Sequence, residues 1–192
     1  MSEAKKQPGM ASLVIVLAAI CLVSAAVLGL INSVTVGPIA ANTEKTVQES
    51  LRTVMPIDGD YEDVTDQYSG DPVTVEVTGS VVPVKAVYKA GDEGYVVESM
   101  SPNGFGGALD MMAGIDSEGN VTGIAIISHA ETSGLGSKST DPEWQAQFKG
   151  LSGVVSVTKD GGQVEAITGS TITSRAVCDG VNAARLVVES LG

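Results

Sequence analysis

The first hydrophobic feature of the chain is a continuous apolar run near its N-terminus. Residues 10–31 contain no charged side chain, and about 20 apolar residues in a helix span the hydrocarbon core of a membrane. Lys5 and Lys6 precede this run, and the next basic residue is Lys45. This asymmetry predicts a cytoplasmic N-terminus and an exported domain after the run. A cleaved signal peptide is the alternative, because small residues at 23–25 could form a cleavage site, but the run continues past them to spanning length.

From residue 72 onwards the pattern changes to short apolar runs and to alternation with a period of two, which is typical of β-strands. Gly, Asp, Asn and Pro separate these runs, and a tight turn over residues 116–120 joins the last two. Five strands are predicted in this way, over residues 72–79, 81–91, 94–101, 107–116 and 121–128. One more short strand is predicted over residues 154–158.

Helical patterns occur on both sides of the predicted strands. Residues 36–55 predict a second helix after the apolar run, and residues 141–148 predict a short helix with a good N-cap and a proline in its first turn. The last helix is predicted to begin at Thr173 or Ser174 and to run to about Leu191. Its apolar positions recur at spacings of four and three and form one stripe: Val177, Val181, Ala184, Val188 and Leu191.

These patterns together predict an α+β fold. An N-terminal transmembrane helix is followed by a small exported domain that has a mostly antiparallel sheet with helices packed against it. The predicted boundaries are a cytoplasmic N-terminus at 1–9, the transmembrane helix at 10–31, a helical and acidic connector at 32–71, and the domain at 72–192. Six acidic residues lie within 58–71, but their spacing lacks the order of an EF-hand loop, so a solvated connector is favoured over a calcium site.

The charge and the cysteines exclude several classes of partner and linkage. The residues after 31 hold 22 of the 23 acidic residues and 9 of the 11 Lys and Arg, which is a formal charge of −13. This charge argues against nucleic acid or an anionic lipid surface as a partner of the exported domain. Cys21 lies in the apolar run and Cys178 in the last helix, so no disulfide is predicted.

Side chains for acid–base or metal chemistry are scarce. His129 is the single histidine of the chain, so a site built from Cys and His is disfavoured. No nucleophile elbow accompanies it, which disfavours a serine hydrolase. Trp144 follows a glycine-rich loop and could cover a flat ring there, or it could pair in the core with Phe148, four residues later in the same helix.

Four hydroxyl side chains surround one glycine immediately before the last helix. They are Thr168, Ser170, Thr171 and Thr173, with Gly169 after the first, in the segment EAITGSTITSRAV over residues 165–177. A helix N-terminus attracts anions, because its first N–H groups have no partner and its dipole is positive there. Two interpretations stay open from composition: an ordinary N-cap, and a phosphate-binding segment in which one hydroxyl is itself esterified.

Four segments resemble the FMN-binding subunits of the Rnf and Nqr respiratory complexes, most closely the G subunit of Rnf. EAITGSTITSRAV is similar to the family's D-x-x-[ST]-G-A-T-x-T-S flavinylation motif. HAETSGLGSKS, residues 129–139, is similar to its E-T-P-G-L-G loop, and WQAQFKG, residues 144–150, to the segment that follows. NGFGGALDMMAGID, residues 103–116, resembles its aromatic-Gly-Gly strand. All four follow an N-terminal anchor in the family's order.

The resemblance implies a covalent flavin site. FMN would be joined to Thr171 by a phosphoester bond, which a dedicated flavin transferase would form. The motif would be completed by Thr168, Gly169 and Ser170, and Thr173 would lie close to the phosphate. Four residues would lie near the isoalloxazine ring: Glu131, Thr132, Gly134 and Leu135.

Three residues depart from the family's motifs. Glu165 replaces the usual Asp, and Ser133 replaces a Pro in the glycine-rich loop. Ser170 replaces the usual Ala and adds a second hydroxyl beside Thr171. Thr171 is the predicted attachment residue, and Ser170 is the alternative that this departure opens.

The resemblance also implies a function. The chain would be a membrane-anchored subunit of a cation-translocating ferredoxin:NAD oxidoreductase and would relay electrons through its FMN. It would have no independent catalytic activity. A tethered cofactor supplies its own chemistry, which agrees with the scarcity of acid–base groups. The implied partners are the other membrane and peripheral subunits of the Rnf complex, a flavin transferase and membrane lipid around residues 10–31, with no nucleic acid. The alternatives are the C subunit of a Na⁺-translocating NADH:quinone oxidoreductase and a non-redox exported binding module with an N-cap at Thr171.

Overall fold

The computed structural model describes residues 10–191, and the chain divides between Lys45 and Thr46 into two compact units. The first unit contains most of helix α1, Met10–Val54. Within this helix Leu13–Thr35 is long and apolar enough to cross a membrane, and its side chains are exposed. The predicted cytoplasmic segment, residues 1–9, lies outside the described residues.

Helix α1 is one helix where the sequence predicts two. The predicted helices, over residues 10–31 and 36–55, are joined without a break, and the helix continues through Pro38. A proline removes one hydrogen bond of a helix and leaves those on either side in place, so the helical residues around it can continue the element. The predicted helix over residues 36–55 is confirmed as far as Val54, as the continuation of the apolar helix.

The second unit is built on a five-stranded antiparallel sheet. Its strands are β1 (Glu62–Asp63), β4 (Val84–Ala90), β5 (Gly94–Ser101), β6 (Leu109–Asp116) and β7 (Val121–Ser128), and they lie in the order β1-β4-β5-β6-β7. Strands β2 (Val73–Val75) and β3 (Ser80–Val82) form a separate antiparallel pair. All five predicted strand segments contain a strand. The segment 81–91 is divided at Pro83, which has no N–H to donate to a strand ladder.

Two helices of the second unit follow the sheet in sequence. Helix α2 is Pro142–Gln145, and a 3-10 turn over Ala146–Phe148 extends it. As predicted, Asp141 is its N-cap, and the side chain accepts a hydrogen bond of 3.1 Å from the N–H of Glu143. Helix α3 is Thr171–Leu191, so it begins two or three residues before the predicted start at Thr173 or Ser174.

Helix α3 covers one face of the sheet with the predicted apolar stripe. Val177, Val181 and Ala184 are fully buried, and they pack in one cluster with Val97 of β5 and Met111 of β6. Val188 and Leu191 are partly buried at the edge of the same cluster. Because burying a valine side chain stabilises a fold by about 1.5–3 kcal/mol, this stripe holds the helix, and with it the residues at its start, against the sheet.

The opposite face of the sheet is covered by the last turns of α1. Leu51, Val54 and Met55 are buried there against Val96 and Met112. This arrangement assigns residues 46–71 to the same unit as the rest of the domain, whereas the sequence predicts a connector over 32–71. The hydrophobic residues at the end of α1 need an apolar partner, and the exposed face of the sheet supplies it.

The predicted strand over residues 154–158 is absent. One β-bridge, between Val157 and Val164, is all that forms there. The side-chain amide of Asn182 in α3 takes the place of a neighbouring strand. It accepts from the N–H of Val155 at 2.8 Å and donates to the carbonyl of the same residue at 2.8 Å.

Candidate functional site

The segment before α3 is a tight turn that ends in the first residue of the helix. Gly169 has a φ of +79°, a value that favours glycine, and the N–H of Ser170 donates to the carbonyl of Ile167 at 2.9 Å. The carbonyl of Ser170 accepts from the N–H of Ser174 at 3.0 Å, which is the first hydrogen bond of the helix. Ser170 is therefore the N-cap residue, and Thr171 is the first helical residue.

This position distinguishes Thr171 from an ordinary cap. The Thr171 side chain is half-buried, and its hydroxyl accepts a hydrogen bond of 3.0 Å from the ammonium of Lys159. An N-cap hydroxyl would instead accept from the backbone of the next helical turn. The structure therefore contradicts an N-cap at Thr171, because the helix begins there and the hydroxyl has another partner.

A cavity of about 330 Å³ opens beside this hydroxyl. It is lined by Phe105, Glu131, Thr132, Leu135, Gly136, Lys159, Gly169, Ser170, Thr171 and Ile172. Three of these side chains are apolar and yet exposed: 69% of Phe105, 44% of Leu135 and 49% of Ile172 is accessible to solvent. A cavity that joins an exposed apolar surface to a hydroxyl and an ammonium group is suited to a ligand with a flat apolar part and an anionic part.

Glu131 joins three segments of the chain beneath this cavity. Its carboxylate is buried and accepts from the N–H of Gly106 at 3.1 Å and from the hydroxyl of Thr173 at 2.7 Å. Gly136 packs against the same groups, and a Cβ there would lie 2.7 Å from the Thr173 hydroxyl oxygen. Glu131 therefore holds the glycine-rich loop against the start of α3.

The turn Thr158–Asp160 brings Lys159 to the cavity. The Asp160 carboxylate accepts two hydrogen bonds of 2.7 Å from the guanidinium of Arg175, one turn after Thr171 in α3. Hydrogen bonds from this guanidinium lower the pKa of Asp160, and the carboxylate raises the pKa of Arg175. Both groups are therefore charged at neutral pH, and they tie the turn to the helix.

The structure brings together most of the predicted site residues, but not all of them. Six of them line the cavity: Glu131, Thr132, Leu135, Gly169, Ser170 and Thr171. Thr168 is exposed outside it, and Gly134 lies in the turn of its loop, where its N–H donates to the Ser137 hydroxyl at 2.9 Å. Thr173 is buried below the cavity, on the Glu131 carboxylate.

Four lining residues were not among the predicted site residues: Phe105, Gly136, Lys159 and Ile172. Phe105 could have been found, because it is the aromatic residue of the NGFGG segment in the family resemblance. Lys159 has no such signal, since it reaches the cavity through a turn twelve residues before Thr171. Trp144 does not line the cavity: its ring meets that of Phe148 edge-on at 5.2 Å, as in the core-pair interpretation, and its indole N–H donates to the Glu165 carbonyl at 2.8 Å.

A larger cavity, of about 550 Å³, is lined by different residues. The turns between β4 and β5 and between β6 and β7 form it together with Arg185, near the C-terminal end of α3. None of the predicted site residues lines it. The smaller cavity is therefore the better candidate, because it holds the hydroxyl cluster and the start of the helix.

Comparisons with known proteins place the chain in a family. Residues 104–185 match the model of the FMN-binding domain. The chain is 35% identical over 187 residues to the G subunit of the ion-translocating oxidoreductase complex of Methanosarcina acetivorans, covering 96% of this chain and 95% of that protein. It is 34% identical over 188 residues to the G subunit of the Na(+)-translocating ferredoxin:NAD(+) oxidoreductase complex of Acetobacterium woodii, covering 92% of this chain and 90% of that protein.

A solved structure is also similar, the NqrC of Shewanella oneidensis, with 22% identity, a TM-score of 0.43, and coverage of 65% of this chain and 67% of that chain. Family membership rests on the two relatives, which match this chain over nearly their whole length. The chain belongs to the family of the G subunits of ion-translocating oxidoreductase complexes.

Proposed function

We propose that this chain is the membrane-anchored flavoprotein subunit of an ion-translocating ferredoxin:NAD oxidoreductase and that it relays electrons through FMN joined to Thr171 by a phosphoester bond. One observation carries the covalent assignment. The Thr171 hydroxyl lies at the first residue of α3, beside a cavity with exposed apolar side chains, and in contact with an ammonium group. This hydroxyl does not cap the helix, because its hydrogen-bond partner is the Lys159 ammonium.

The residues around the cavity fit FMN in both size and chemistry. A cavity of about 330 Å³ falls in the range of about 300–1,000 Å³ that is common for ligand sites. The first N–H groups of α3 and the ammonium of Lys159 would hold the phosphate. Phe105, Leu135 and Ile172 would contact the ring with apolar surface. When bound, FMN supplies the redox chemistry that these side chains lack.

Thr171 is a better attachment residue than Ser170. Ser170 is 7% exposed, and as the N-cap residue it precedes the helix and is held by backbone hydrogen bonds on both sides. Thr171 is more accessible and already has a cationic partner. Attachment forms a bond between its hydroxyl oxygen and the flavin phosphorus, breaks the P–O–P bond of a flavin dinucleotide donor, and releases the hydroxyl proton and a nucleoside monophosphate. An accessible hydroxyl is therefore favoured.

The apolar part of α1 would anchor this subunit in the membrane. The positive charges at Lys5 and Lys6, which lie outside the described residues, favour a cytoplasmic N-terminus and an extracytoplasmic domain. A flavin that dissociated there could not rebind from the cytoplasmic pool, which is the physical reason for a covalent bond. The proposed partners are the other membrane and peripheral subunits of the complex and a flavin transferase.

The attachment is tested on the full-length chain, produced with and without a flavin transferase. We expect the intact mass to increase by the mass of FMN less one water, and the denatured band to fluoresce, only when the transferase is present. Thr171→Ala should abolish both signals, whereas the matched variant Ser170→Ala should keep them. A wild-type chain of unmodified mass would contradict the proposal, and a label lost only in Ser170→Ala would move the attachment to Ser170.

A further inference from the structure

Lys159 occupies a particular place in the cavity, since it is the only cation among the ten residues that line it. Its ammonium lies 3.0 Å from the Thr171 hydroxyl oxygen. The acidic groups nearby already have partners. Both carboxylate oxygens of Glu131 accept hydrogen bonds, and the Asp160 carboxylate is paired with Arg175. The ammonium of Lys159 is therefore available to an anion at Thr171.

The backbone around Lys159 is held on both sides. Val157 is fully buried, and its carbonyl accepts from the N–H of Asp160 at 2.8 Å. Gly161 closes the turn with a φ of +85°. The Asp160–Arg175 ion pair then joins the turn to α3, four residues after Thr171. The backbone position of Lys159 is thus held by the core, by the turn and by the helix, and it brings the ammonium within reach of Thr171.

We propose that Lys159 is a positioning residue for the flavin phosphate, that its ammonium offsets the charge of the phosphate at Thr171, and that the Asp160–Arg175 ion pair keeps it there. The proposal rests on the proposed function, because it requires a phosphate at Thr171. A phosphate bonded to both threonine and the flavin ribityl chain carries one negative charge. The residues after 31 have a formal charge of −13, so a local cation is needed to offset the charge of the phosphate together with the helix dipole.

The size of the effect follows from the exposure of Lys159. A hydrogen bond between charged groups is strong when it is buried, but the Lys159 side chain is exposed, and solvent screens exposed charge pairs. We therefore expect that removal of the charge slows flavin attachment about fivefold, without abolishing it.

The test follows attachment over time in the full-length chain incubated with a flavin transferase and a flavin dinucleotide donor, with the labelled fraction measured by intact mass. Lys159→Gln should label about fivefold more slowly than the wild type. Lys159→Arg, which keeps the charge, should recover most of the rate. Lys149→Gln is the matched control, because it removes the same charge from an exposed residue that does not line the cavity. It should label like the wild type.

A spectroscopic readout separates a charge effect from a general loss of structure. The ³¹P resonance of the attached phosphate should shift in Lys159→Gln and stay near the wild-type position in Lys159→Arg and Lys149→Gln. Asp160→Asn should slow labelling when Lys159 is present and add nothing in the Lys159→Gln background, because it acts through that residue.

The outcomes distinguish this proposal from the proposed function. If the wild-type chain is labelled and Lys159→Gln labels at the same rate with an unchanged ³¹P resonance, the role of Lys159 is wrong and the flavin site stands. If Asp160→Asn slows labelling equally in both backgrounds, the ion pair does not act through Lys159. An unlabelled wild-type chain would overturn both proposals together.

Discussion

At the scale of single residues, Glu131 shows how a buried carboxylate determines the shape of a ligand cavity. The family resemblance places this residue near the flavin ring, and the structure also gives it a structural task. Its two oxygens accept hydrogen bonds from Gly106, in the loop before β6, and from Thr173, in the first turn of α3. A buried carboxylate destabilises a fold unless it is hydrogen-bonded. The stability of this region therefore depends on the hydrogen bonds that Gly106 and Thr173 donate to Glu131.

Removal of the Thr173 hydroxyl should therefore destabilise the protein. Thr173→Val keeps the shape of the side chain but leaves one Glu131 oxygen without its partner, at a cost of about 1–3 kcal/mol in the free energy of unfolding. The measurement is chemical denaturation of the detergent-solubilised chain. Thr168→Val is the control, because that hydroxyl is exposed, and a change of no more than about 0.5 kcal/mol is expected. Equal stability of the two variants would show that the buried hydrogen bond contributes nothing.

At the scale of elements, two glycines allow the end of α1 to lie on the sheet. Gly114 of β6 and Gly123 of β7 are directly opposite each other in the ladder, and both contact Val54, the last residue of α1. The hydroxyl of Thr122 donates to the Val54 carbonyl at 2.7 Å, which supplies a partner for one of the free carbonyls at a helix C-terminus. The contact between helix and sheet is thus made by backbone atoms as well as by side chains.

An alanine at Gly123 should push this contact apart. Its Cβ would lie 3.0 Å from the Val54 carbonyl oxygen and 3.3 Å from the Val54 Cα, and backbone atoms yield less easily than a flexible side chain. We expect a loss of about 1–3 kcal/mol in the free energy of unfolding, the usual cost of overpacking. In the control, Gly59→Ala, the nearest atom is a side-chain carbon at 3.8 Å. A Gly123→Ala variant as stable as Gly59→Ala would contradict the close contact.

At the scale of the whole molecule, the arrangement across the membrane decides where the flavin would work. The two native cysteines give little background in a thiol-labelling experiment. Cys21 lies in the apolar part of α1. Cys178 is buried in α3, and burial raises the pKa of its thiol to about 12, so that it reacts slowly at neutral pH. Introduced cysteines can therefore report the orientation.

The proposed orientation is tested with a membrane-impermeant maleimide on intact cells. Ser152→Cys, at an exposed position of the domain, should be labelled without permeabilisation. Ser2→Cys, outside the described residues, should be labelled only after the membrane is opened, because the basic residues beside it favour the cytoplasm. The unmodified chain is the control and should remain nearly unlabelled in both conditions. The reverse pattern would place the domain in the cytoplasm and remove the reason for a covalent tether.

Much of the fold is already determined by the sequence pattern, because local periodicity reports which face of an element is buried. The five strand segments, the apolar stripe of α3 and the apolar run at the N-terminus are all confirmed as elements of the structure. The hydroxyl cluster at the start of α3 and the loop that begins at Glu131 were also visible in the sequence, because their motifs resemble those of the family. The family itself is confirmed by the two relatives.

Tertiary structure alone decided the features that depend on contacts between distant segments. Asn182 replaces a strand partner for Val155, which is why no strand forms at 154–158. The end of α1 belongs to the domain because the sheet offers it an apolar face. Lys159 reaches Thr171 from a separate turn, which the Asp160–Arg175 ion pair joins to α3. A sequence pattern records the neighbours of a residue along one element, whereas these contacts arise when separate elements pack together.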